Sequence, residues 1–169
     1  MIALDQEGVA RAVGNLAAQI EADLTPQRTA IVGIRSLGDE VARRVVDLLE
    51  KKGCQFEFGV LDISLYRDDF AHRKTSPKLQ SSEIPFQIDG ARVILIDDVL
   101  FTGRTIRAAL DAVFDYGRPD SVKLGVLIDR GHRELPVQPD YVGTFLETDR
   151  EHRVDVQLNG ADQVLLQTL

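Results

Sequence analysis

Asp97 and Asp98 stand side by side in the run V-I-L-I-D-D-V-L-F-T-G-R-T, residues 93–105. Ionised carboxylates accept hydrogen bonds and donate none, so an adjacent pair suits the hydroxyls of a sugar or a hydrated magnesium ion. Directly after them, Thr102, Gly103, Arg104 and Thr105 form a turn ahead of a helical pattern. A helix N-terminus carries unpaired N–H groups and partial positive charge, and glycine lets the backbone approach a ligand with no Cβ in the way. Thr102 and Thr105 add hydroxyl donors. The stretch reads as a monophosphate cup with an acidic pair on its rim. Two plainer readings stay open at this point: a pair that merely begins a loop, or one that caps the next helix. Neither G-x-x-x-x-G-K-[ST] nor G-x-G-x-x-G occurs, which excludes the usual triphosphate loop and the dinucleotide fingerprint. An acidic receiver-domain pocket would sit closer to the N-terminus.

The elements around this motif follow from periodicity. Val9, Val13, Leu16, Ala17, Ile20 and Leu24 recur at helical spacing, which predicts a helix over 5–23, broken by Pro26. A-I-V-G-I, 30–34, predicts a short buried strand closed by the loop G-I-R-S-L-G. Val41, Val45, Leu48 and Leu49 predict a helix over 38–51, with Gly53 as its cap. Residues 56–66 alternate as a strand, with Gly59 at a bulge. Residues 67–83 are polar and aperiodic, the pattern of a flexible lid loop. The uniformly aliphatic 93–96 predicts a central strand covered on both faces. Ile106, Ala109, Leu110, Val113 and Phe114 mark a helix ending near Gly117 and Pro119, and 122–129 predicts another buried strand, with shorter strands at 141–146 and 153–158. Strands alternating with helices give an α/β fold, a central, mostly parallel sheet flanked by helices. Ligands then bind beyond the carboxyl ends of the strands, which puts the loops after 34, 96 and 129 on one edge.

Composition narrows the function classes. With 169 residues and 44% hydrophobic content, the chain suits one domain with a sizeable core. A net charge of −7 argues against wholesale binding to nucleic acid or anionic membranes, while a phosphate substrate stays allowed through local donors. No apolar run approaches the roughly 18 residues of a membrane span, and the start lacks a signal-peptide pattern, so a cytoplasmic protein without a membrane role is expected. Cys54 is the only cysteine and reads as a small buried apolar residue; the scattered His72, His132 and His152 have no metal-ligand spacing.

Residues 93–105 resemble the phosphoribosyl-diphosphate signature of the type I phosphoribosyltransferases. Y-R-D-D at 66–69, G-R-P at 117–119 and D-R-G-H-R-E-L-P at 129–136 are similar, over nearly the whole chain, to the bifunctional pyrimidine operon regulator and uracil phosphoribosyltransferase family of PyrR type. The resemblance implies the type I fold with a small hood, a single domain over 1–169 with its lid at 67–83, and transfer of ribose 5-phosphate to N1 of uracil. The products would be UMP and pyrophosphate, with Mg²⁺ as cofactor. Asp97 and Asp98 would grip the ribose hydroxyls, and the metal through water or ribose. Val99, Leu100, Phe101, Thr102, Gly103, Arg104 and Thr105 would bind phosphoribosyl diphosphate. Ile34, Arg35, Ser36, Leu37 and Gly38 would form the pyrophosphate loop, with Arg35 and Arg67 in catalysis. His72, Arg73, Lys74 and Lys78 of the lid would add cations. Asp129, Arg130, Gly131, His132 and Arg133 would supply the uracil pocket, with ion pairs from Asp129 and Glu134 to neighbouring arginines as the plainer reading.

Two departures from the family pattern matter. Leu37 stands where an arginine is usual, removing a cation from the pyrophosphate loop. Purine enzymes often place a carboxylate where this chain has Phe101, and an aromatic there favours a pyrimidine. Relatives also bind the leader RNA of the pyr operon. RNA binding needs cations or stacking surfaces, yet a Thr-Arg pair and a following His expected in the first helix correspond to Gly14, Asn15 and Ala18. His132, Arg133, Arg150 and Arg153, with His152, remain for a basic face. Catalysis is therefore expected to survive while attenuation is weakened, lost or moved. The alternatives are a primarily RNA-binding attenuation regulator, or a phosphoribosyltransferase for another base. Homodimers or homotetramers are expected from the relatives.

Overall fold

The computed structural model describes residues 1–68 and 81–169. In chain order its elements are β1 (Ile2–Leu4), α1 (Gln6–Asp23), β2 (Thr29–Ile34), α2 (Gly38–Lys51), β3 (Glu57–Leu61), β4 (Arg92–Leu100), α3 (Arg104–Tyr116), β5 (Ser121–Asp129), β6 (Tyr141–Phe145), β7 (His152–Gln157) and β8 (Gln163–Thr168). Strands pair in the order β3-β2-β4-β5-β6, parallel throughout, and a separate antiparallel sheet has the order β1-β8-β7.

Alternation along the strands distributes the core. Ile31, Ile94 and Ile96 join α1 and α2 on one face, through Val9, Leu16, Ile20, Val41, Val45 and Leu49. Val32, Ile34, Val93 and Leu95 point the other way and meet α3 at Ile106, Ala109, Ala112 and Val113. A side chain buried this completely contributes about 1.5–3 kcal/mol relative to exposure, so the central strands are the strongest anchor of the sheet. The small sheet joins the first core through Val156 and Val164 and is held to α2 by the Arg44–Asp162 ion pair.

Both ends of the sheet are tied down. At the amino edge, Arg92 is only 5% exposed; it donates to the Tyr141 hydroxyl at 2.9 Å and to the Asp23 carboxylate. Hydrogen bonds from Lys123 and Tyr141 hold the Asp23 carboxyl down to about 2, and burial together with Asp23 raises the Tyr141 phenol. The end of α1 is thereby pinned beneath the sheet. Higher up, the Gln19 carboxamide donates to the Val142 carbonyl at 2.7 Å and accepts the Val142 N–H at 3.1 Å, lying along β6.

Several expectations need correction. β4 does not stop at Ile96; it pairs with β5 through Leu100↔Asp129, so the aspartates lie inside the strand. β3 ends at Leu61, and Gly59 sits in regular register opposite Val32 without a bulge. Its missing side chain makes room for Glu83, whose backbone bridges Val60. Phe114 is 55% exposed, because the stripe of α3 narrows to Ala109, Ala112 and Val113. Cys54 is half-buried at the edge of the first core. The expected lid falls partly on described residues: at its end Ser82 Oγ accepts the Asp62 N–H at 2.8 Å and Glu83 pairs with Val60. His72, Arg73, Lys74 and Lys78 lie outside the described residues. β1 and β8 had no counterpart in the sequence reading. No helix among the described residues is long and apolar enough to cross a membrane.

Candidate active site

Asp97 is 4% exposed and Asp98 is half-buried, both near the carboxyl end of β4. Asp97 Oδ1 accepts the Asp98 N–H at 2.9 Å. Burial raises the Asp97 carboxyl well above its ordinary range, the adjacent Asp98 adds to the rise, and the charge of Arg67 opposes it; burial also raises Asp98. The pair stands in the fold without full compensation, a condition a cationic or hydroxyl-rich ligand relieves.

Beyond the strand, Gly103 takes φ +93° and opens α3 without a side-chain cap of its own, so the amides of the first turn after Arg104 face the loop. Gly103 is also pressed against Val137, whose side chain lies 3.2 Å from where a Cβ would stand. The Thr102 hydroxyl accepts the Arg104 N–H at 3.3 Å. A cavity of about 300 Å³ runs from Asp97 over residues 99–106 to Arg67 and Asp68, which brings Asp97 and all of the expected binding residues Val99 to Thr105 to its wall, but not Asp98. Arg104 leans across its mouth, pairing with Asp68 at 2.7 Å and Glu134 at 3.0 Å.

The loop over 34–38 reaches the same place. A Cβ on Gly38 would stand 2.7 Å from the Ile96 carbonyl and 3.0 Å from Asp97 Oδ1, and one on Gly33 would strike Asp39 Cα at 2.6 Å. Only glycines let α2 seat its N-terminus against the paired aspartates. Leu37 holds φ +75°, an uncommon conformation for a side chain of that size, and Arg35–Ser36 is a cis peptide. Arg35 donates through Nε to the Ser81 carbonyl at 3.2 Å and lies near Asp39 and Glu83.

On the far side, Asp129 accepts the Gly131 N–H at 3.0 Å and pairs with Arg133 at 2.6 Å, while Arg133 also donates to the Phe101 carbonyl at 3.0 Å. The Arg130 guanidinium lies 4.0 Å from the Phe101 ring centre, and the His132 ring meets Phe101 edge-on at 6.1 Å. His132, at φ +65°, shares a 2.5 Å hydrogen bond with the Thr148 carbonyl. Segment 129–133 is thus attached to the segment over 97–105 through Phe101. Glu134 binds both Arg104 and Arg150, the ion-pair role weighed for it above. Arg153 is exposed on β7 and, among the described residues, makes no ion pair with this cluster. Arg150 was expected on a basic face, but the loop just before it was not expected at the site, and its carbonyls at Thr148 and Asp149 hold His132 and Arg130. Backbone acceptors carry no residue-type signal, so nothing in the sequence marked them.

On the positions noted as departures in α1, the structure is specific. Gly14 faces open space, Ala18 is exposed, and Asn15 donates to the Gly143 carbonyl at 3.3 Å.

A phosphoribosyl transferase domain model matches residues 3–160. The chain is 52% identical over 146 residues to a bifunctional protein PyrR of Akkermansia muciniphila, covering 86% of this chain and 82% of that one. It is 47% identical to the protein of the same name from Brevibacillus brevis, covering 95% and 91%. Among solved structures it is similar to a hypoxanthine-guanine phosphoribosyltransferase of Bacillus anthracis, with a TM-score of 0.69 at 20% identity, covering 86% of this chain and 83% of that one. That likeness fixes the type I phosphoribosyltransferase fold, a mostly parallel sheet with flanking helices. By the domain match and by the identity to these relatives, the chain belongs to the phosphoribosyltransferases, in the PyrR family of bifunctional proteins.

Proposed function

We propose that the protein is a uracil phosphoribosyltransferase, converting uracil and phosphoribosyl diphosphate to UMP and pyrophosphate. The observation that supports this reading is the Asp97–Asp98 pair, with Asp97 buried and Asp98 half-buried, beside the glycine-opened N-terminus of α3. In the reaction the C1′–oxygen bond to pyrophosphate breaks with its electron pair leaving on oxygen, the N1–C1′ bond forms, and the N1 proton is lost. Positive charge builds on the ribose ring meanwhile, so two carboxylates at the sugar favour the transition state over the ground state. Amides of α3 and the hydroxyls of Thr102 and Thr105 anchor the 5-phosphate, which fixes C1′ for attack. The N-terminus of α2, brought in by Gly38, and Arg35 receive the pyrophosphate.

Among the described residues no group of three or more His, Cys, Asp or Glu side chains converges on a metal position. Mg²⁺ is commonly held by one or two carboxylates plus substrate phosphates and water, so Asp97 and Asp98 fit an ion that arrives with the substrate. When bound, it neutralises charge on the departing pyrophosphate.

Phe101 supports uracil over purines, since no carboxylate stands at that position to take a purine's proton. The deciding assay is UMP formation from uracil and phosphoribosyl diphosphate, with hypoxanthine and orotate as competitors. An Asp97→Asn, Asp98→Asn double variant that kept the full rate would overturn the site.

A regulatory role on pyr leader RNA follows from the relatives' bifunctional naming, but α1 offers little for it: Gly14 and Ala18 carry no donor and the Asn15 amide is engaged. We assign this chain the enzyme role, with attenuation weakened. A gel-shift titration against its own operon leader, with UMP present, tests this; submicromolar, sequence-specific binding would reverse the assignment.

A further inference from the structure

The arginines around Phe101 are not equally compensated. Arg133 has the Asp129 carboxylate, and Arg104 and Arg150 share Glu134. Arg130 is 6% exposed, yet its hydrogen bond goes to a neutral acceptor, the Asp149 carbonyl at 2.9 Å, and among the described residues its buried Nε has no partner. Its guanidinium also lies over the Phe101 face, 4.0 Å from the ring centre. The other charged groups near it leave the imbalance in place. Arg150 stands 6.0 Å from the same ring, the Asp149 carboxylate is 86% exposed and turned towards His152, and Asp129 is taken by Arg133 and the Gly131 N–H. Glu147 borders the neighbouring cavity, and among the described residues no carboxylate pairs with Arg130.

A desolvated cation with an unused N–H favours an anion nearby, and a low-dielectric setting lengthens its reach. One aromatic ring separates it from the cavity that holds Asp97 and the phosphate cup. We propose that the Arg130 guanidinium stabilises the negative charge that uracil acquires as its N1 proton leaves, so that the proton can depart without a carboxylate base at the position of Phe101. This rests on the uracil reading above and deepens it. The N1 proton passes to solvent, the N1 lone pair forms the bond to C1′, and the charge that spreads onto the ring oxygens in between is what Arg130 opposes. Burial lowers the proton affinity of Arg130, the direction expected of a cation short of counter-charge.

The test compares uracil with 5-fluorouracil, which is nearly the same size but more acidic, at saturating phosphoribosyl diphosphate. For Arg130→Gln, kcat/KM with uracil should fall by ~10²-fold and with 5-fluorouracil by roughly tenfold, the scale of losing one preorganised charge-stabilising group. UMP has no N1 proton to lose, so its affinity should stay within about twofold, a readout that a purely structural role would move. Arg130→Lys keeps the charge and should fall between; if the glutamine variant does not fold, the lysine variant's uracil to 5-fluorouracil ratio decides. Equal losses on both bases, or a loss mirrored in UMP affinity, overturn the inference alone. Absence of UMP formation by the unaltered chain overturns the functional reading and this inference with it.

Discussion

Replacing Gly38 with alanine tests whether the seat of α2 against β4 sets the active geometry. A Cβ there would stand 2.7 Å from the Ile96 carbonyl and 3.0 Å from both Asp97 Cα and Asp97 Oδ1, where ordinary contact begins near 3.4 Å. These are backbone and buried carboxylate atoms, so the strain cannot be relieved by swinging a flexible side chain away. The helix must retreat by roughly half an ångström, and overpacking of this kind costs about 1–3 kcal/mol. For a chain of this length each kcal/mol moves Tm by about 2–4 °C, so a fall of roughly 2–12 °C is expected in a thermal melt. Displacement near 1 Å at a reacting centre costs ~10²-fold in rate, which makes a loss on the order of tenfold in kcat/KM reasonable for half that shift. Gly14→Ala is the matched control: nothing lies within 4 Å of its Cβ position in mid-α1. It should stabilise by about 0.4–1 kcal/mol through the unfolded chain and leave UMP formation untouched. A Gly38→Ala protein that melts with the unaltered one, or loses stability while keeping its kcat/KM, would refute the claim that this contact positions Asp97.

Three further outcomes follow from the same geometry. Burial and Asp98 raise the Asp97 carboxyl above 3.8, so the ligand-free fold holds that proton more tightly than the unfolded chain does, and stability from this group is lost as pH rises from 3.8 through the folded value. Asp97→Asn should therefore gain stability over the unaltered protein as pH climbs through that window in metal-free urea titrations, while UMP formation falls; parallel pH slopes would remove burial as the cause. Asp23 behaves in the opposite sense: its carboxyl is lowered from 3.8 to about 2, so its contribution is present above 3.8 and lost as pH falls through 2. Asp23→Asn should flatten the acid limb between those values, measured by fluorescence-detected unfolding. Phe101→Asp should weaken uracil use and bring hypoxanthine into competition, and a variant that retains uracil preference would show that this ring does not set base choice.

The parts of this molecule written in side-chain type were readable; those written in backbone were not. The stripes of α1 and α2, the aliphatic centre of β4 and the turn at Gly103 each bury or bend for reasons visible in residue identity. The strand's true end at Leu100 was hidden, because two aspartates look like a boundary when only the pairing to Val126 and Ile128 shows that the ladder continues past them. β8 was missed because Gln163, Gln167 and Thr168 break its apolar run at both ends, and β1 because three residues make no pattern. At the site, the motif over 93–105 and the segment over 129–133 stood out by residue type. Their connection through Arg130, Arg133 and Phe101 was not, since stacking and carbonyl contacts depend on how two distant segments converge.

The Gln19 carboxamide along Val142 has a consequence for assembly. β6 is the last strand of its sheet, and an open rung there would accept a strand from another molecule and begin a chain of copies. Gln19 fills both hydrogen-bonding positions of that rung with a side chain, which ends the sheet as a terminator ends a polymer. Any higher-order form of this protein joined at that rung must first displace Gln19, so self-association through side-chain faces is favoured over sheet extension.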